Sequence, residues 1–136
     1  MREKLESIGL LVLRLLIGFG IAKHGWGKIT GDVAGFAQGA VAGKLGLPMP
    51  LLFAWAAALS EFGGGILVAI GLGTRIGAFL VLCVMATAFF LFHGADPWDV
   101  KELAFLYGST SLALILTGGG KYSLDAKIFC RKCVGG

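Results

Sequence analysis

Charge is what this sequence has least of. Charged residues make up 15% of its 136 positions, while 57% are hydrophobic and the mean hydropathy is +0.85. An average soluble domain carries about 25% charged residues. A soluble reading would need nearly every helix buried on all sides, and a chain this short leaves too much of its surface in water. The shortage excludes an ordinary soluble domain and points to one integral membrane domain. Motifs for reading RNA or DNA are also missing. The net charge of +4 comes from basic residues lying mostly at the ends of apolar segments, where positive charge sets membrane orientation. The expected partner is therefore the lipid bilayer and not nucleic acid. A signal-peptide cleavage site is missing as well: Arg2 and Lys4 precede an apolar run, but no small-x-small site follows and Arg14 interrupts the run, so the first segment is expected to stay as a span.

What the sequence has in plenty is long apolar stretches. Leu51 to Leu72 reads LLFAWAAALSEFGGGILVAIGL and contains one charge, Glu61. At about 1.5 Å per residue it is long enough to cross a bilayer. A carboxylate at mid-membrane costs about 2.5 to 3.5 kcal/mol on insertion scales, so it needs protein or a wet cavity around it. Ala54, Ala57, Ala58, Gly64 and Gly65 share its helix face, and small residues let neighbouring helices approach closely. This second span is expected to be central.

Three further spans complete the pattern. The first runs from Leu5 to about His24, the third from Ile76 to Phe92, and the fourth from Leu103 to Thr117. Between the first two spans, Gly27, Gly31, Gly35, Gly39 and Gly43 recur every fourth residue. That spacing predicts one smooth helical ridge and a short interfacial helix from about Asp32 to Lys44, ended by Leu47-Pro48-Met49-Pro50. The fold expected is all-α, a four-helix transmembrane bundle with a short interfacial helix between helices 1 and 2. Residues 1–120 form the membrane domain. Residues 121–136 form a basic amphipathic tail, with Ser123 as a helix cap and Asp125 in the first turn. Four spans put both termini on one side, and that side carries more Lys and Arg, so the termini are expected in the cytoplasm.

Several of these pieces resemble the DoxX family of small four-helix membrane proteins. They are LRLLIGFGIAKHGWGKI (13–29), LGLPMP (45–50), LSEFGGGILVAIGLGTRIGA (59–78), His93 closing the third helix, Glu102-Leu103 before the fourth, and GGKYSLD (119–125). The glycine ridge and the Cys130-x-x-Cys133 tail are not part of the match. The resemblance implies a bacterial or archaeal inner-membrane protein tied to membrane redox chemistry. Its family context is quinol oxidase or thiosulfate:quinone oxidoreductase, and oxidative and thiol stress.

Two polar layers could carry chemistry. Counted from the inner ends of their spans, Arg14 and Glu61 lie at nearly equal depth and are expected to pair. The pair is read either as a structural salt bridge or as a proton site at the floor of a cavity. The outer layer is His24, Lys28, His93 and Glu102, with Ser109 on the Glu102 face and Tyr107 nearby. Trp26 and Trp98 flank it as an aromatic belt. The bland alternative for the layer is a set of exposed interfacial residues. The sharper one is the mouth of an apolar slot for quinone, because such a site needs few polar groups and one that exchanges protons near neutral pH. A metal on His24, His93 and Glu102, or a haem on the histidines, fits less well: the ligand types suit, but no i, i+4 pair fixes the geometry. Cys130-x-x-Cys133 lacks the context of a thiol redox motif, and Cys83 is read as packing.

The reading is a redox-linked membrane protein that binds a quinone or similar small apolar molecule in a cavity open to the outer side. It would be a subunit of an oxidoreductase system, with a membrane or cytoplasmic redox partner or a bound cofactor to supply electrons. The alternative is a non-catalytic assembly or scaffolding protein that docks a partner through glycine-rich helix faces.

Overall fold

The computed structural model describes residues 1–129 and contains helices and connections only, with no strand among the described residues. α1 spans Arg2–Thr30, and α2 is the single turn Val33–Phe36, which opens into the wider π-helical segment Ala37–Lys44. α3 spans Pro50–Ile70. α4 spans Thr74–Thr87 and loosens into π-helix over Ala88–Phe92. α5 spans Trp98–Thr117, and the short α6 spans Leu124–Phe129. Among the described residues, four helices are long and apolar enough to cross a membrane: Arg2–Thr30, Pro50–Ile70, Thr74–Phe92 and Trp98–Thr117.

The expected four-span bundle with a short intervening helix is what the chain forms. Its exterior is apolar: Leu16, Phe19, Phe90 and Leu116 are each about two-thirds exposed or more. Side chains of this kind turned outward along every span suit lipid and not water. α3 is the central element, packed on α1, on α4 and on the α2–π segment.

Small residues set the α1–α3 contact. A Cβ at Gly18 would lie 2.6 Å from the backbone of Gly65 and Ala69. Gly25 sits equally tightly on Ala58 and Phe62. Gly64 and Gly77 make the same kind of contact between α3 and α4. Backbones this close replace the hydrophobic driving force that lipid removes with dispersion contacts.

Three details depart from the sequence reading. α1 continues six residues past His24, to Thr30. α5 starts at Trp98 and not at Leu103, with Pro97 as its cap and Asp99 in its first turn, as the helix dipole favours. The glycine ridge is not one ridge. Gly27 belongs to α1 and Gly31 ends it, while Gly35, Gly39 and Gly43 lie beyond the break on the α2–π segment. Asp32 restarts the helix there by accepting from the Gly35 N–H at 2.8 Å.

The tail residues 121–129 are docked on the bundle. Ser123 does cap α6, its Oγ accepting from the Ala126 N–H at 3.2 Å. Asp125 turns away from its own helix. Its carboxylate accepts from Gly73 N–H at 2.7 Å, Thr74 N–H at 2.9 Å and the Thr74 hydroxyl at 3.0 Å. It thus satisfies the open N-terminus of α4 from another segment. The Cys130-x-x-Cys133 pair lies outside the described residues.

Candidate functional site

The α2–π segment folds back over α3 and α4 because its buried face, Val33, Ala37 and Val41, packs against Ala54 with Phe36 and Leu47 alongside. Under it lies an apolar slot of about 560 Å³. The walls are Phe53 and Ala57 of α3, Leu80 and Val84 of α4, and Phe36 and Leu47 of the covering segment. That volume is in the range of small-molecule sites, which are commonly apolar with a few placed polar groups. The polar side chains on this slot are Lys28, Ser60, Glu61, Cys83, Thr87 and His93.

A second, smaller cavity of about 180 Å³ adjoins it on the α1–α5 side. His24, Lys28, Glu61, His93 and Tyr107 line it. Lys28, Glu61, Ala88 and His93 line both spaces, so they form the partition between an apolar slot and a polar vestibule.

The partition is built from two charged groups in contact. Lys28 Nζ donates to Glu61 Oε1. The Glu61 side chain is only 3% exposed and that of Lys28 is 29% exposed. Glu61 Oε2 is buried and has no hydrogen-bond partner among the described residues. Lys28 also lies over the Phe36 ring, 5.0 Å from its centroid, which ties the ammonium to the cover by a cation–π contact.

His93 is held from the loop side. Its Nδ1 lies 2.7 Å from Asp96 Oδ2. An ionised carboxylate only accepts, so the imidazole donates from Nδ1 and leaves Nε2 free to exchange a proton. The His93 hydrogen bond, with Lys44 3.6 Å away, holds the Asp96 carboxyl below the usual range against a smaller opposing effect of burial. Lys44 also lies over the Phe92 ring at 4.3 Å. A relay Lys44–Asp96–His93 therefore links the end of the cover to the end of α4. His24 stands edge-on to Tyr107, with centroids 5.9 Å apart.

His24, Lys28, Glu61 and His93 come together around one vestibule. Glu102 and Ser109 do not: both are exposed and line neither cavity. They share a face of α5, as seven-residue spacing dictates, but the inward face is Ala104, Gly108 and Ser111. Among the described residues, no three His, Cys, Asp or Glu side chains gather as a metal set.

Arg14 is not Glu61's partner. The α1–α3 register puts Glu61 level with Gly25 and Arg14 level with Gly71. Eleven residues of helix therefore separate the Arg14 level from the Glu61 level, about 16 Å. The depth count failed because it set Leu5 level with Leu72, whereas Arg14 itself lies level with Gly71 and the first turns of α1 overhang the end of α3. Arg14 is fully buried at the other end of the bundle, where Nη2 donates to the Tyr122 carbonyl at 3.2 Å. Gly71, at φ 75°, has no side chain to occupy the guanidinium's space.

Sequence reasoning missed Asp96 and Lys44, neither of which is among the expected site residues. The signal for Asp96 was its position three residues after His93, within reach of the imidazole. Cys83, read as packing, lines the slot.

The fold and this arrangement define a class: an integral membrane helix bundle with an apolar slot closed at one end by an ion pair. The chain belongs to the DoxX family, whose model matches residues 9–94. It is 38% identical over 127 residues to "Inner membrane protein YqjF" of Escherichia coli strain K12, covering 90% of this chain and 94% of that one. It is 32% identical over 134 residues to a Haemophilus influenzae protein with no function in its name, covering 93% and 96%. It is 34% identical over 128 residues to "Putative oxidoreductase CatD" of Bacillus subtilis strain 168, covering 93% and 92%. No solved structure gives a significant match.

Proposed function

We propose that the slot binds a quinone or a similar small apolar molecule, and that the protein works as a redox-linked subunit of an oxidoreductase system. The observation that carries this is the partition: an apolar slot of about 560 Å³ meets a polar vestibule at Lys28, Glu61 and His93. A quinone headgroup needs an apolar bed with hydrogen-bonding and proton-exchanging groups at one end. Lys28 can donate to a ring oxygen, and His93 Nε2 can pass protons to the vestibule. The oxidoreductase name of the Bacillus subtilis relative supports the redox setting. Electrons would come from a partner or a bound cofactor, in the oxidative or thiol stress context that the family suggests.

The charge bias supports cytoplasmic termini, with residues 121–136 on the cytoplasmic side and the slot opening outward. The test of binding is mass spectrometry of small molecules extracted from gently purified protein, paired with the variant Ala57→Trp, which fills the slot. Quinone in the wild type and its loss in the variant is the expected result. Equal recovery from both would overturn the reading.

A second reading, a non-catalytic assembly protein, is favoured by one observation. Gly27 and Gly39 face open space and could receive a partner helix. A stable membrane complex broken by Gly27→Leu, with no small molecule in the slot, would select it.

A further inference from the structure

The slot carries an acceptor with nothing to accept. Glu61 lines both cavities, its side chain is 3% exposed, and its Oε2 has no donor among the described residues. Lys28 is committed to Oε1. A buried carboxylate oxygen left without a donor is an unmet demand of a kind folded proteins rarely keep. The two carboxylate oxygens exchange by rotation about the last side-chain torsion, which is soft. The free oxygen can therefore turn toward whatever occupies the slot.

Resting on the reading that this slot takes a quinone-type ring, we propose that it selects the hydroquinone over the quinone. The oxidised ring offers only carbonyl oxygens. These can accept from a spare Lys28 N–H but can give Glu61 nothing. The reduced ring carries hydroxyls, each both donor and acceptor. One hydroxyl can donate to Glu61 and accept from Lys28 in the same pose. The two oxidation states have nearly the same shape, so the apolar walls formed by Phe36, Phe53 and Val84 hold them equally. The difference between them falls on Glu61. A site built to pair a ligand hydroxyl rejects the analogue that lacks it, because its own polar group is then left unpaired.

Hydrogen bonds to a charged group are among the stronger ones, so the preference should be about tenfold or more. The test is an anaerobic redox titration of a short-chain ubiquinone in detergent, with and without excess purified protein. Tighter binding of the reduced form raises the midpoint potential, and tenfold corresponds to about 30 mV for a two-electron couple. Direct binding of each form by tryptophan fluorescence quenching gives the same ratio independently. Glu61→Gln supplies an amide N–H in place of the free acceptor and should erase the preference. Asp99→Asn, exposed and outside both cavities, should keep it.

Equal affinity for the two forms in the wild type, or tighter binding of the quinone, overturns the proposal while leaving quinone-type binding standing. A preference that survives in Glu61→Gln also overturns it, since another group then discriminates. If neither form binds, the underlying reading of the slot fails and this inference fails with it. Should Glu61→Gln not fold, the wild-type ratio alone decides the matter.

Discussion

Separating Lys28 from Glu61 should destabilise the bundle, and unequally for the two partners. Lys28→Met strands a carboxylate that is 3% exposed, with neither oxygen then paired within the described residues. Removing one partner of a buried pair typically destabilises by about 3 to 5 kcal/mol. Glu61→Gln strands an ammonium that is 29% exposed, borders the polar vestibule and still lies over Phe36. Water can reach that ammonium, and the amide oxygen still accepts from it, so the loss should be nearer 1 to 2 kcal/mol, the range of an ordinary hydrogen-bond defect. The double variant Lys28→Met/Glu61→Gln leaves no stranded ion and should be more stable than Lys28→Met alone. The assay is thermal unfolding in detergent, followed by tryptophan fluorescence, for all four proteins. A coupling energy near zero would refute the pair, and Glu61→Gln destabilising more than Lys28→Met would refute the assignment of the deeper burial to Glu61. The same cycle run on Arg14→Gln and Glu61→Gln should be additive, because the two side chains sit about 16 Å apart by the rise of α1.

Two further outcomes follow from the packing and the tail. Gly18→Ala forces a methyl against the Gly65 and Ala69 backbones, 2.6 Å away, and should destabilise by about 1 to 3 kcal/mol. Gly27→Ala has open space and should be neutral or stabilising by up to about 1 kcal/mol, so equal melting shifts in the two would contradict the α1–α3 contact. Asp125→Ala should release residues 120–129, seen as faster amide exchange there. Burial pushes the Asp125 carboxyl up, but the Gly73 and Thr74 hydrogen bonds and Arg14 together hold it below its ordinary value. A depressed carboxylate contributes stability above its unfolded value of about 3.9 and loses it as pH falls through the folded value. The wild type should therefore lose tail protection below about pH 4, and protection unchanged down to pH 2 would contradict the clamp.

The spans were legible because each is a run of apolar residues long enough to cross lipid, and lipid permits few alternatives to a helix. The centrality of α3 was legible too, since Gly64 and Gly65 beside a lone carboxylate mark a face that neighbours must cover. Hydropathy does not give register. The depth of Arg14 was counted from an assumed helix end, but α1 packs with its first turns overhanging α3, which puts Arg14 level with Gly71 at the far end of the bundle. The true partner of Glu61, Lys28, was assigned to the outer layer for the same reason, although both lie on the same partition. Facing on α5 was equally open. Glu102 and Ser109 share a helix face by spacing alone, but which face turns inward depends on where Ala104 and Gly108 find close contact.

Tertiary pairing explains why two distant pieces of the chain belong together. GLGTR and GGKYSLD are some fifty residues apart, and neither has an evident purpose alone. In the fold, Asp125 of the second caps the helix that Thr74 of the first begins, at 51 residues' separation. The backbone of the second also receives Arg14 through the Tyr122 carbonyl. The Arg14 charge favours the ionised Asp125 carboxylate, which offsets part of that group's desolvation. Thr74 and Arg14 are both fully buried, so neither can be satisfied by bulk water. The clamp end also keeps Nε and Nη1 of Arg14 buried without a partner among the described residues, but Arg14 lines neither cavity, so the contrast lies between the two carboxylates. Asp125 spends every contact on the protein, as a structural carboxylate should. Glu61 keeps one oxygen uncommitted beside an apolar slot, and a carboxylate left in that state is the better place for a ligand to bind.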